Sequence, residues 1–328
     1  MNIRSNIMKL GFLLCVWGSV ASAQTITVFD PPGSINTRPT GINPSVSITG
    51  FYEDSAHVTH GFLRDVTGSF TTFDPPGSIS TRPLSINAAG TIGGFYAVSQ
   101  TGPIHGFLRD SAGTYTTFDP PGSTDTFPVI SKNGANRTAG YYLDATGVYH
   151  GFTRTAAGGF TSFDPPGSVG TYPYSLASGP KITGTWMDAG SVFHGFVRTS
   201  TVITPFDPLG SSETIPQGID GAGRVTGYYA DSSANSTFHG FIRDNAGTIT
   251  TFDPSGSTGT YARDIDTAGR ITGDYFSNQE HGFVRIGTTI TSFDPPGSLG
   301  TEAVSIAAGK ITGDFKTVSM YHGYLRTP

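Results

Sequence analysis

Seven histidines, His60, His105, His150, His194, His239, His281 and His322, each stand immediately before a glycine and an aromatic residue. Histidine titrates near neutrality and ligates metals, so the set invites an acid–base or metal reading. Seven aspartates, Asp30, Asp74, Asp119, Asp164, Asp207, Asp253 and Asp294, each sit between a phenylalanine and a proline. A carboxylate beside loop carbonyls suits calcium. Repetition argues against both readings. Each histidine opens the same segment of its own copy, so a ring-shaped array would hold the seven apart and could not bring three to one ion. A structural hydrogen bond within each copy, to a threonine or an aspartate, is expected instead. One carboxylate per loop is too few for a dedicated calcium site, and no Asp-x-Asp-x-Asp run occurs. The aspartates are expected to accept backbone amides two residues on, in turns that continue Pro-Pro-Gly-Ser. No cofactor or metal is expected, calcium being the weak alternative. The arginines of His-Gly-Phe-x-Arg, such as Arg64, Arg109 and Arg198, are expected to pair with a carboxylate or carbonyl near a sheet edge, and His57 sits in a loop with no specific role. No phosphate-binding glycine loop, nucleophile elbow or zinc spacing is present.

The elements that must hold these groups follow from the repeat. Phe-Asp-Pro recurs at spacings of 44, 45, 45, 43, 46 and 41 residues, and a threonine always stands eight residues after its phenylalanine, from Thr37 to Thr301. One copy contains four strand signals separated by glycine turns: residues 82–87, 91–97, 105–109 and 115–119. Four antiparallel strands in about 44 residues suit one propeller blade. The third strand is apolar on both faces, Phe107 beside Leu108, as a sheet packed between two others requires. The prolines after each fourth strand suit an outer edge. Residues 25–30 read as a fourth strand with no first three before it, and residues 322–326 as a third strand with no fourth after it. Pairing the two would close a ring and remove its open edges. The fold class expected is therefore all-β, a seven-bladed propeller of four-stranded antiparallel blades, with a parallel β-solenoid as the alternative.

The motifs His105-Gly106-Phe107, Ser85-Ile86-Asn87 and Phe-Asp-Pro-Pro-Gly resemble the bacterial extracellular repeats known for a His-Ala-Phe core, here in a glycine variant. The resemblance covers nearly all of residues 25–328. It implies an extracellular location and a propeller-like fold, and it carries no assigned reaction. Ser131 in place of Ile86, and Ala303 in place of the framework proline, are departures from the unit.

Composition agrees with that architecture: 45 Gly and 22 Pro for turns, 23 Phe and 14 Tyr for apolar anchors. With 13% charged residues and a formal net charge of −5, no basic field exists for nucleic acid. Residues 1–23 read as an export signal: Arg4 and Lys9, an apolar run from Leu10 to Val20, and Ala21-Ser22-Ala23 as the cleavage site. Cleavage after Ala23 leaves a single domain, residues 24–328, secreted or periplasmic, with no membrane span and no cysteine, since Cys15 lies in the signal.

Three function classes remain open: a secreted binding or scaffold protein for a glycan or a protein partner, a secreted carbohydrate-active hydrolase or lyase, and a structural envelope component. No blade stands out with an asymmetric acid, base and nucleophile, so binding by a monomer is the leading expectation. Variation among copies points to one face. The turns between strands one and two, and three and four, are monotonous, whereas the distance from the framework threonine to the histidine varies from 21 to 25 residues. The residue after that threonine is in turn Arg38, Arg82, Phe127, Tyr172, Ile215, Tyr261 and Glu302. These seven are expected to ring the channel mouth on the variable face, where aromatic shelves and forked arginine donors suit a sugar or a polar peptide.

Overall fold

Alternating apolar residues and glycine-bearing turns build four antiparallel strands from each copy of the repeat. The computed structural model describes residues 24–130, 137–234 and 236–328; residues 1–23, read above as an export signal, and Ser131 lie outside the described residues. Among the described residues there are 28 strands and no helix. In one copy Ser80–Ile86, Ile92–Ala97, Ile104–Arg109 and Tyr115–Phe118 pair in that order, within two residues of the segments read from the sequence.

The innermost strands are Ser34–Ile42, Ser80–Ile86, Ser123–Ile130, Gly170–Leu176, Ser211–Ile219, Gly259–Ile265 and Gly300–Ala307. Each touches the next along the chain, and Gly300–Ala307 touches Ser34–Ile42. The N-terminal strand Thr25–Phe29 pairs antiparallel with the C-terminal Tyr321–Thr327, in register from Thr25 opposite Thr327 to Phe29 opposite Gly323. The last three strands thereby gain a fourth.

Each outer strand leaves through one turn. Ser34 N–H donates to the Pro31 carbonyl at 3.1 Å, with Gly33 at φ +82°, and the same bond recurs from Ser78, Ser123, Ser168, Ser211, Ser257 and Ser298. Glycine third, at positive φ, is what a type II turn requires, and proline stands second in five of the seven, Leu209 and Ser255 in the others.

The phenylalanine before each turn joins two sheets. Phe29 packs edge-on against Phe62 of the next sheet at 6.3 Å between centroids, Phe73 against Phe107 at 6.4 Å, and Phe163 against Phe196 at 6.1 Å. Within its own sheet the ring covers the glycine of His-Gly, where a Cβ would stand 2.6 Å from the Phe73 ring at Gly61 and 2.5 Å from the Phe29 ring at Gly323. The repeated arginine completes the contact: as expected, Arg64 and Arg109 reach a carbonyl, Nη1 donating to Asp65 O and Asp110 O at 3.4 Å, and a second partner is added. The guanidinium lies over the preceding sheet's phenylalanine: Arg64 on Phe29 at 5.0 Å, Arg109 on Phe73 at 4.9 Å, Arg198 on Phe163 at 4.4 Å. A delocalised, weakly hydrated cation gains from a desolvated ring face. Its Nε is buried without an acceptor in each of the seven copies, so the ring face is its main partner.

The N-terminal contact is built like the internal ones, so Phe29→Ala and Phe163→Ala should each cost about 3–4 kcal/mol in reversible unfolding. Removing residues 24–31 should lower the melting temperature by on the order of 10 °C or more; unchanged melting would mean that the first strand contributes nothing to the ring.

Candidate functional site

A channel runs between the innermost strands, and every one of them lines it. Thr40, Leu84, Val129, Tyr174, Gln217, Arg263 and Val304 form its wall around a space of about 160 Å³. In six of the seven copies the wall residue sits in a β-bulge; only Val129 keeps regular register. A bulge re-aims a side chain out of the ladder, and here it delivers it to the channel.

The seven sequence-selected residues lie two positions earlier on the same strands, at one end of the channel, and outside its wall. They pack across the seams. Arg82 lies over Phe51 of the preceding sheet at 5.0 Å, and Phe127 meets Phe95 edge-on at 5.2 Å and stacks on Tyr141 at 4.9 Å. Tyr172 meets Tyr141 at 5.5 Å, Tyr149 at 5.1 Å and Phe193 at 6.1 Å. Tyr261 meets Tyr228 at 5.0 Å and Phe238 at 5.1 Å. Ile215 is buried and adds apolar packing without a polar handle. The result is a crescent of half-buried rings along the variable face. Burial pushes the Tyr141 hydroxyl up to about 12, so these tyrosines are neutral donors.

Arg38 and Glu302 belong to a different sector of the same face, one that sequence reasoning missed. Arg38 Nη1 donates to Asp314 Oδ2 at 2.7 Å, lies 3.9 Å from Glu302 Oε1 and stacks over Tyr321 at 3.5 Å. Arg263, leaving the channel wall, holds Asp274 with two bonds, Nε to Oδ1 at 2.7 Å and Nη2 to Oδ2 at 3.2 Å. Asp274 and Asp314 are buried, and burial pushes both carboxyls up against the pull of their arginines. Glu280, hydrogen-bonded to Asp274, is pushed up to about 7 by burial and by the negative charges of Asp274 and Glu302. A signal for this sector was present: where Asp274 and Asp314 stand, the other copies carry Phe51, Phe95, Tyr141, Thr185 and Tyr228, and where Glu280 stands they carry Thr59, Ile104, Tyr149, Phe193, Phe238 and Tyr321. Among the described residues no group of three or more histidines and carboxylates could hold a metal ion.

The repeated histidines and aspartates meet each other. His60 Nδ1 donates to Asp74 Oδ2 at 2.7 Å, His150 to Asp164 at 2.8 Å, and His322, near the C-terminus, to Asp30 at 2.7 Å. His105, His194, His239 and His281 bond Asp119, Asp207, Asp253 and Asp294 in the same way. In five copies the second carboxylate oxygen accepts from the framework threonine, as Thr37 to Asp30 at 2.6 Å and Thr171 to Asp164 at 2.6 Å. The expectation that these aspartates accept backbone amides two residues on is corrected: one oxygen faces an imidazole of the third strand and the other, in five copies, a buried threonine of the next innermost strand, while Asp207 accepts instead from Gly195 N–H at 3.4 Å. Each imidazole also faces an aromatic residue of the second strand, such as Tyr142 on His150 at 5.3 Å. Burial disfavours the charged ring, but hydrogen bonds and charge from the aspartates outweigh it, and His60, His150, His194 and His239 titrate above 6.5.

No family model matches the chain, and no curated protein matches its sequence. Solved structures do. A virginiamycin B lyase from Staphylococcus aureus, solved with quinupristin, superposes with a TM-score of 0.61 at 14% identity, over 93% of this chain and 100% of that one. The β-propeller domain of the Trilobed protease from Pyrococcus furiosus, described as an open velcro topology, gives 0.67 at 9% identity, over 89% and 95%. A puromycin-hydrolysing peptidase from Mycobacterium tuberculosis gives 0.60 at 10%, over 87% of this chain and 51% of that one. At these identities the likeness shows the fold, a β-propeller, and no activity.

Because His60, His150, His194 and His239 titrate above 6.5 when folded, their contribution to stability is complete below that value and is lost as pH rises through the folded values. The melting temperature should therefore fall between pH 6 and pH 8, flattening in a His150→Ala, His239→Ala double variant; at pH 6 His150→Ala alone should cost about 1 kcal/mol, a charge-assisted bond discounted for partial exposure.

Proposed function

We propose that this chain is an exported glycan-binding protein: a seven-bladed propeller closed by its first strand, acting as a monomer and reading its ligand on the variable face. The pairing of Thr25–Phe29 with Tyr321–Thr327 and the bond from His322 to Asp30 support the closure. The basic, apolar and small-residue run of residues 1–23 supports export. The observation that carries the binding role is the crescent of half-buried rings, Tyr141, Tyr149, Tyr172, Phe193, Phe238 and Tyr261 among them, set beside the acid–arginine sector on one face. Pyranose rings present apolar faces to aromatic shelves and hydroxyls to carboxylates and guanidinium groups.

The sector around Glu280 supports a second reading, hydrolysis of the bound glycan. A carboxyl that titrates near 7 can donate a proton to a leaving oxygen.

In a glycan screen followed by titration of the best ligand, replacing Phe127, Tyr172 and Tyr261 together by Ala should weaken binding by about tenfold or more. Circular dichroism checks the fold, and Tyr172→Ala alone serves if the triple variant melts early. Unaltered affinity, with loss on mutating the opposite face, would overturn the assignment. If the ligand is also cleaved, Glu280→Gln should abolish cleavage and leave binding in place.

A further inference from the structure

Between the fourth sheet, residues 170–206, and the fifth, residues 211–252, the variable face opens into a cleft of about 290 Å³. Phe193 of one sheet and Phe238 of the other line it, with Glu213 between them and Ser191 and Ser236 also on its lining. Glu213 directly precedes the buried framework residue Thr214. In two other copies the residue at this position ties neighbouring sheets together. Asn36 Oδ1 accepts from Tyr321 N–H at 3.1 Å, and Asp125 Oδ1 accepts from Ile104 N–H at 2.8 Å. Gly170, Gly259 and Gly300 have no side chain there. Glu213 is one methylene longer than Asp125, and its carboxylate has no hydrogen bond or ion pair among the described residues. No lysine or arginine lines the cleft. The carboxyl is pushed above its ordinary value by burial alone.

A partly desolvated carboxylate without a counter-charge, placed between two aromatic residues, is matched by a cation. Hydroxyl groups could satisfy its hydrogen-bonding capacity but not its charge. The faces of the two rings would stabilise the same cation. We propose that this cleft seats the protonated amine of an amino sugar, with Glu213 as counter-ion and Phe193 and Phe238 as walls. The choice of a sugar rests on the glycan reading of this face. The cleft walls continue into the crescent, Phe193 touching Tyr172 at 6.1 Å and Phe238 touching Tyr261 at 5.1 Å, so flanking sugar units would lie on rings already in place.

The test uses calorimetric titration of the full chain with a fully deacetylated glucosamine tetramer and with its N-acetylated counterpart, which lacks the charge. The deacetylated tetramer should bind about tenfold more tightly, and Glu213→Gln, near-isosteric and outside the seam contacts, should erase that preference without changing the melting temperature. Phe193→Ala should weaken the deacetylated tetramer selectively. Equal binding of both tetramers, indifferent to Glu213→Gln but lost in the triple aromatic variant, would remove the ammonium cleft and leave the glycan face standing. Glu213-dependent binding of a lysine-rich peptide with no binding of either tetramer would overturn the amino-sugar assignment and the glycan reading together.

Discussion

The structure depends on where the phenylalanine of Phe-Asp-Pro is placed. It is the last residue of an outer strand, yet it is buried or nearly so, because three neighbours enclose it: a glycine of its own sheet, and a phenylalanine (Tyr324 in the last sheet) and an arginine of the next. A Cβ on that glycine would overlap the ring, so glycine after the repeated histidine is a steric requirement of the seam. The arginine gives up hydration of its Nε to cover the ring. Burial lowers its pKa, and the aromatic face compensates part of that cost.

Everything else in the repeat is referred to this point. The adjacent aspartate places one oxygen on an imidazole of the third strand and the other, in five copies, on a threonine of the next innermost strand. One side chain thus ties an outer strand to its own sheet and to the sheet that follows. With both ends of the connection held, the type II turn can be identical in every copy. Where the first and last strands pair, the same group is Asp30, which holds His322 and Thr37 as its counterparts do inside the chain.

A framework secured at the outer strands leaves the start of the innermost strands free to vary. That position carries Arg, Phe, Tyr, Ile or Glu, and in six of the seven copies a bulge two residues later absorbs irregularity in the ladder. Chemistry is consequently uneven around one face. Rings dominate from Phe51 to Tyr261, and charge dominates where Asp274, Glu280, Glu302 and Asp314 meet Arg38 and Arg263.

The sequence alone determined the repeat, the four strands of each copy, the turns and the complementary half-units at the two ends, because these rest on local signals: alternation, glycine at positive φ, proline at an edge. It also located the seven positions after the framework threonine on one face. Partners were decided only in three dimensions. An aspartate before proline can cap a turn or bind an imidazole, and an arginine at a strand end can meet a carbonyl or a ring; which occurs depends on packing within and between sheets, against residues 7 to 14 positions away for the aspartate, about 35 away for the arginine, or at the other end of the chain. The acid–arginine sector draws on residues 38, 263, 274, 280, 302 and 314, and Glu213 stands out only because the seam contact made by Asn36 and Asp125 is missing beside it. Pattern specifies which side chain each strand offers, and packing between sheets decides what that side chain meets.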